Sequence, residues 1–306
     1  MSNCNYAPVL IFVYRRPDHL RNTISSLMRC EGFGESPVIV YADGPRGSYE
    51  NDVVMATREV ARSMLGERAE YHFSETNQGL SGSVISGVTE TLDRFGRAIV
   101  VEDDLELNPV FLTFMNAALD RYTDAESIYQ VSGYMFDVPA LARERSALFL
   151  PFTVSWGWAT WKRAWDRFDP RAEGWEMLRT DKKLRRDFNL DGTYDYATML
   201  VRQMTGQRDS WAIRWYWTVF KENGRVLFPP VSLVRNMGID GSGTHGRGLL
   251  RRFSADRTAL NSIAFRLPES VLVDVRYYAS VKRSLWSQNG GWVASLVDRI
   301  RSLLKH

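Results

Sequence analysis

Residues 98–109, AIVVEDDLELNP, pass abruptly from an apolar run to a row of carboxylates. The run 98–101 has the length and β-branched content of a buried strand. Glu102, Asp103 and Asp104 follow it directly, although ionised carboxylates are rarely buried unless they are paired or bind a metal. Two explanations fit these residues alone. They hold a hard divalent cation together with substrate phosphates, or they form an acidic turn that caps the next helix.

The composition is that of a globular protein with a large core. The chain has 306 residues, of which 44% are hydrophobic and 25% charged, which corresponds to one or two domains. A formal net charge of +3 is nearly balanced and predicts no nucleic-acid partner. Cys4 and Cys30 make neither a disulfide framework nor a zinc site. With no apparent signal peptide or membrane span, they predict reduced thiols and a cytoplasmic protein.

Apolar runs alternate with helical segments in the first part of the chain. The predicted strands are 8–13, 37–42, 71–73 and 98–101. This alternation predicts an α/β fold with a mostly parallel sheet flanked by helices. Ligands of such sheets bind beyond the carboxyl ends of the strands. Polar breaks at Arg15 and Arg16, at Asp43 and at the acidic row all fall at those ends, which favours a nucleotide site.

The regular alternation ends after the acidic row. We therefore expect a Rossmann-like nucleotide-binding half at 1–107, a mixed half of the same domain at 108–250, and a C-terminal helical extension at 251–306. Most of the ten tryptophans lie in the second half. Aromatic residues at that density pack a core or line a cleft for sugars or bases.

Residues 292–304 have apolar positions at helical spacing, with basic residues beside them. One interpretation is an interfacial helix that makes a peripheral contact with an anionic membrane. The other is a terminal helix docked on the core or on a second subunit, as in a homodimer, which is the commoner use of an amphipathic helix.

Together these motifs resemble those of inverting nucleotide-sugar glycosyltransferases of the GT-A fold. The chain looks closest to the family-2-like bacterial enzymes and to N-acetylglucosaminyltransferase I. The resemblance covers residues 8–245, and the order of its motifs is more specific than any one of them. They are PVLI at 8–11 followed by Arg16, PVIV at 37–40 leading to Asp43, NQG at 77–79, and VVEDDLE at 100–106, which is similar to the family's variant of the DXD motif.

The resemblance implies a nucleotide-binding role for four residues. Arg16 would contact the uridine, and Asp43 would accept a hydrogen bond from the uracil N–H, for which a carboxylate is a suitable acceptor. Asn77 and Gly79 would lie beside the nucleotide. Taken singly, Arg16 also fits a surface arginine and Asp43 a turn former.

The resemblance also implies a metal. Asp104 would bind Mn²⁺ or Mg²⁺, which bridges the two donor phosphates and stabilises the departing nucleoside diphosphate. Glu102 and Asp103 would face the ribose and the donor sugar. His245, in a glycine-rich loop, is a further candidate ligand, although a lone loop histidine is more often solvated.

An inverting transfer needs a carboxylate that takes the proton of the acceptor hydroxyl. Asp209 stands where the resembling enzymes carry this base, and its position also fits a helix N-cap. Asp195 and Asp240 are the alternatives. We expect three tryptophans to line the acceptor or donor-sugar pocket, namely Trp156, Trp158 and Trp211. Trp156 and Trp158 also fit an ordinary hydrophobic core.

The resemblance thus implies a metal-dependent inverting glycosyltransferase. It would move a sugar, N-acetylglucosamine as a first choice, from a UDP-sugar to a hydroxyl of a glycan or lipid-linked acceptor. Such an enzyme serves bacterial polysaccharide biosynthesis in the cytoplasm or at the inner face of the membrane. One alternative is a nucleotidyltransferase, but the glycine- and lysine-rich phosphate loop usual in those enzymes does not follow the first predicted strand of this chain. The other is a non-catalytic glycan-binding protein on the same fold.

Overall fold

A computed structural model describes residues 6–238 and 265–288 of the chain. Its helices and strands are β1 (Val9–Val13), α1 (Pro17–Met28), β2 (Val38–Ala42), α2 (Asn51–Leu65), β3 (Ala69–Phe73), α3 (Gly79–Phe95), β4 (Arg97–Glu102), β5 (Leu105–Leu107), α4 (Phe111–Arg121), β6 (Ile128–Ser132), β7 (Leu148–Leu150), β8 (Trp158–Trp161), α5 (Lys162–Trp165), α6 (Lys182–Phe188), α7 (Tyr196–Met204), α8 (Trp211–Lys221), β9 (Arg225–Phe228), β10 (Val234–Asn236) and α9 (Val275–Gln288).

Eight of these strands form one sheet, in the order β3-β2-β1-β4-β8-β6-β9-β7. The first four are mutually parallel, and β6 pairs in parallel with β9, whereas β8 and β7 run antiparallel to their neighbours. The predicted α/β class with a mostly parallel sheet is confirmed. Strands from both predicted halves of the chain belong to this single sheet.

The side chains of each central strand alternate between two buried faces. In β1, Val9 and Ile11 pack with α1 in one core, and Leu10 and Phe12 pack with α3 in the other. Each buried aliphatic side chain contributes roughly 1.5–3 kcal/mol, and strands buried on both faces read as continuous apolar runs. Charged residues therefore first appear where a strand leaves the two helical layers.

The carboxyl ends of β1, β2 and β4 lie side by side. Val13 pairs with Ala42, and Phe12 pairs with Glu102. The arginines after β1, Asp43 after β2 and the acidic row after β4 are consequently brought to one edge of the sheet. The predicted clustering of polar residues follows directly from this parallel register.

Two features of the fold differ from the sequence prediction. Strand β8 was not predicted; it lies antiparallel between β4 and β6, with Trp158 opposite Val100. The acidic row leads into the short strand β5, which was not predicted either and which pairs with β10 through Leu105 and Asn236. Both pairings are antiparallel, whereas the alternation of strands and helices that predicted the sheet predicts parallel neighbours.

Several predictions concern segments that the structure does not describe. The amphipathic segment 292–304, Cys4, Asp240 and His245 all lie outside the described residues. Within residues 6–238 and 265–288, no helix combines the length and the apolar character needed to cross a membrane.

Candidate active site

A cleft of about 370 Å³ opens at the carboxyl edge of the central strands, a volume typical of small-molecule sites. It gathers residues from both halves of the chain. Trp158 is not among the residues that line it. Of the residues singled out from the sequence, those that line the cleft are Arg16, Asp43, Asn77, Gly79, Glu102, Asp103, Asp104, Trp156, Asp209 and Trp211.

The carboxylate of Asp43 organises the loop that begins α3. Its Oδ1 accepts hydrogen bonds from the backbone N–H groups of Gly44 (2.9 Å) and Gln78 (2.8 Å). Its Oδ2 accepts from Asn77 Nδ2 (2.9 Å) and from the backbone N–H of Gly79 (3.0 Å). A carboxylate offers about four lone-pair positions, so the chain itself fills them. A uracil N–H would reach Asp43 only after one of these bonds had opened.

Gly79 stands at the junction of this loop with α3. Its φ of +75° lies in the left-handed region that favours glycine. A Cβ atom there would also stand 3.2 Å from Asp209 Oδ2. The glycine therefore lets the loop turn tightly and lets the Asp209 carboxylate approach the first turn of α3.

The acidic cluster, defined as Glu102, Asp103 and Asp104, faces one arginine. Arg16 Nη1 donates to Asp104 Oδ2 at 2.6 Å and lies 3.5 Å from Asp103 Oδ1. Burial, and then the charge of Asp104, raises the pKa of Glu102 to about 8 and that of Asp103 to about 7. One guanidinium thus does not compensate three crowded carboxyl groups, and the cluster favours a further positive charge.

One oxygen of the cluster has no partner among the described residues. Asp104 Oδ1 is buried and accepts no hydrogen bond from any residue in 6–238 or 265–288, which is uncommon for a buried polar atom. Carboxylate oxygens are the ligands that Mg²⁺ and Mn²⁺ prefer. Within the described residues, no group of three or more His, Cys, Asp or Glu side chains could by itself hold a metal. Asp104 therefore fits a cation whose other ligands are phosphates and water.

Gly238, which the sequence analysis did not single out, closes one side of the acidic cluster. A Cβ atom at this position would fall 2.1 Å from Asp104 Oδ2 and 3.0 Å from Arg16 Nη1. The neighbouring backbone N–H of Met237 donates to the Asp104 carbonyl oxygen at 2.7 Å. Any larger residue at 238 would displace the ion pair.

Asp209 is an exposed carboxylate at the first turn of α3. Its Oδ2 accepts from the backbone N–H of Ser81 at 3.3 Å, where the helix dipole favours negative charge. Its Oδ1 accepts no hydrogen bond from any described residue. The N-cap of α8 is Ser210, so Asp209 does not cap that helix. Asp195 instead caps α7 by accepting from the Thr198 N–H, and it does not line the cleft.

Aromatic side chains form one wall of the cleft. Trp156 packs edge-on against Tyr134, with ring centroids 4.6 Å apart. Trp211 stacks on Trp158 at 5.0 Å, and Trp158 is fully buried in the core. Trp158 thus packs behind the wall as a core residue, which is the second of the two interpretations that the sequence allowed for it. Further residues that line the cleft and that the sequence analysis missed include Tyr134, Phe136, Tyr194, Tyr196 and Arg208.

Comparisons with known proteins identify no family. No family model and no curated protein matches the chain. Solved structures do match, and one of them is GalNAc-T7 crystallised with UDP, GalNAc and Mn²⁺. The two chains superpose with a TM-score of 0.46 at 10% sequence identity. The match covers 76% of this chain and 46% of that one, so this chain spans about half the length of that structure.

Proposed function

We propose that this protein is a metal-dependent inverting glycosyltransferase that moves a sugar from a UDP-sugar to a hydroxyl group of a glycan or lipid-linked acceptor. The observation that carries the proposal is the composition of one cleft. An acidic cluster with an unpartnered oxygen on Asp104 lies at the end of β4, and the exposed carboxylate of Asp209 stands at the start of α3. The first fits a cation that accompanies phosphates, and the second fits a general base.

On the donor side, Asp104 would hold Mn²⁺ or Mg²⁺ through Oδ1. The bound cation would neutralise the charge that develops on the departing nucleoside diphosphate. Arg16 lies on the other oxygen of Asp104 and would donate to the phosphates. Glu102 and Asp103 would accept hydrogen bonds from hydroxyl groups of the ribose and the donor sugar. Asp43 would act indirectly by fixing the loop 77–79 beside the nucleotide.

On the acceptor side, Asp209 would take the proton of the attacking hydroxyl on Oδ1. The backbone N–H of Ser81 holds the other oxygen and so aims the carboxylate. The acceptor oxygen forms a bond to the anomeric carbon as the bond from that carbon to the phosphate oxygen breaks. One displacement of this kind inverts the configuration. Trp156, which is partly exposed, would offer an apolar face to the C–H surfaces of the sugar, and the buried Trp211 would support this wall.

The motif resemblance supports the finer assignments of the proposal. They are UDP as the nucleotide, N-acetylglucosamine as the donor sugar, and an acceptor from bacterial polysaccharide biosynthesis. The reaction would take place in the cytoplasm or at the inner face of the membrane.

A thermal-shift panel tests the proposal. The melting temperature of the protein is measured with UDP-, GDP- and dTDP-sugars, each with and without Mn²⁺. Ligands that bind only the native state stabilise it by mass action, by about 2.7 kcal/mol at 100 times the Kd. We expect UDP-sugars to raise the melting temperature only when Mn²⁺ is present, and Asp104→Ala to abolish that increase. A panel in which no nucleotide sugar shifts the transition would refute the proposal.

A further inference from the structure

Arg208 is a cleft cation for which the described residues provide no counter-charge. It lies directly before Asp209, between α7 and α8, and its side chain is half-buried. Its Nε is buried and donates no hydrogen bond to any residue that the structure describes. Across residues 6–238 and 265–288, no carboxylate lies at ion-pair distance from its guanidinium, and no oxygen accepts a hydrogen bond from it.

The other arginines that line the cleft all have acceptors. Arg15 Nη1 donates to Glu50 Oε1 at 2.7 Å, and Arg16 Nη1 donates to Asp104 Oδ2 at 2.6 Å. Arg46 Nε donates to Asn77 Oδ1 at 3.5 Å. All three lie on the donor side, next to β1 and β2. The one cleft arginine with no acceptor among the described residues is thus Arg208, which follows α7 in the second half of the chain.

An unpaired guanidinium at a half-buried site costs free energy. Withdrawing a charged group from water is unfavourable unless hydrogen bonds replace the lost hydration. Burial lowers the pKa of Arg208, yet an arginine stays protonated in proteins. A ligand oxyanion would satisfy the donors that the chain leaves bare, since a guanidinium binds carboxylate or phosphate through two parallel hydrogen bonds.

The neighbours of Arg208 place it with the acceptor. The next residue is Asp209, the proposed base, and Tyr194 of the aromatic wall lines the cleft beside Arg208, close enough to affect the pKa of its guanidinium. The phosphates of the donor are assigned to Asp104 and Arg16. An anion bound by Arg208 would therefore belong to the molecule whose hydroxyl approaches Asp209.

We propose that Arg208 binds an oxyanion of the acceptor, either a sugar carboxylate or a phosphate attached to the acceptor sugar. The inference rests on the proposed glycosyltransferase function and adds that the acceptor is anionic. Arg208 would then determine acceptor specificity, because it distinguishes a charged acceptor from its neutral counterpart.

Matched sugar pairs test this inference on the full chain loaded with UDP and Mn²⁺. The carboxylate pair is methyl β-glucuronide and methyl β-glucoside, and the phosphate pair is glucose 1-phosphate and methyl α-glucoside. Affinities are measured by calorimetry. We expect at least one charged sugar to bind about tenfold more tightly than its neutral partner, as is typical of a charged hydrogen bond. The pair that shows the preference identifies the source of the oxyanion.

Three variants assign the preference to Arg208. Arg208→Gln should remove it, and Arg208→Lys should retain part of it, since lysine keeps the charge and loses the fork geometry. Arg21→Gln is the matched control, because Arg21 is an exposed arginine on α1 that does not line the cleft, and it should behave as the wild type. The urea midpoint of each variant verifies that it is folded.

Two results would overturn the inference. In the first, neither charged sugar binds more tightly than its neutral partner. In the second, Arg208→Gln keeps the preference and instead weakens UDP binding, which would assign Arg208 to the donor phosphates. If the wild-type protein binds no UDP in the presence of Mn²⁺, that result counts against the proposed glycosyltransferase function and leaves the Arg208 inference to be tested separately. The sugar titrations are then repeated without UDP. A preference for a charged sugar that is lost in Arg208→Gln supports the inference, and the absence of that preference refutes it.

Discussion

Replacing Asp43 by alanine tests whether this carboxylate builds the site. The change removes the acceptor of four hydrogen bonds that join the end of β2 to the start of α3. A hydrogen bond to a charged group contributes about 1.5–3 kcal/mol. Three of the donors belong to Asn77, Gln78 and Gly79, which are partly or largely exposed, so water replaces much of the loss. We expect the free energy of unfolding to fall by about 3 kcal/mol.

Urea denaturation followed by tryptophan fluorescence, without nucleotide, measures this loss. A decrease of this size lowers the midpoint by about 0.5–1 M. Asp43→Asn should recover at most half of the lost stability. Its NH₂ group would replace one carboxylate oxygen and would face two N–H donors, with which it cannot form hydrogen bonds. Asp52→Ala is the control, since Asp52 is an exposed residue in the first turn of α2, and we expect a change of about 0.5 kcal/mol or less. If both Asp43 variants keep wild-type stability and lose UDP affinity, the hydrogen-bond account is wrong and the base-binding role is right.

Three further outcomes follow from the site. Asp104→Ala should abolish the Mn²⁺-dependent part of UDP binding in calorimetry, and wild-type UDP affinity in Mn²⁺ would exclude its metal-binding role. Asp209→Asn should keep the Kd for UDP and lower kcat by about 10²-fold or more in a UDP-release assay; near-normal turnover would move the base elsewhere. Because the folded-state pKa values of Glu102 and Asp103 lie above their ordinary ones, the folded metal-free protein holds more protons, and its stability should fall as pH rises from about 5 to 8. Free energies of unfolding measured at pH 5 and pH 8 check the direction of this change. If the pH dependence of stability is unchanged in the Glu102→Gln, Asp103→Asn double variant, these two groups do not cause it.

The sheet edge was predictable because its causes are local. Strands buried on both faces read as apolar runs, so β1, β2 and β4 were visible in the sequence, and so were the charges at their ends. Parallel pairing then brought Arg16, Asp43 and the acidic row together. The antiparallel insertion of β8, which pairs Trp158 with Val100, was not predictable, because alternating strands and helices predict parallel neighbours and give no signal for an antiparallel strand between them.

The finer structure of the site was also beyond the sequence. The four bonds to Asp43 depend on where the loop 77–79 lies, and no residue type reveals that an acceptor is already filled. Gly238 acts through a close approach to Asp104 that arises when β10 pairs with β5. Arg208 is distinctive because the part of the chain that the structure describes gives it no partner, and such a property exists only in the folded chain.

The central claim is that Asp104 holds a cation that accompanies the donor diphosphate. An anomalous difference map, recorded near the manganese absorption edge from crystals grown with UDP and Mn²⁺, tests it most directly. The account predicts a peak in the cleft about 2.1 Å from a carboxylate oxygen of Asp104, with the diphosphate of UDP as a further ligand. UDP bound without manganese, or a manganese peak held by residues outside the cleft, would contradict the account.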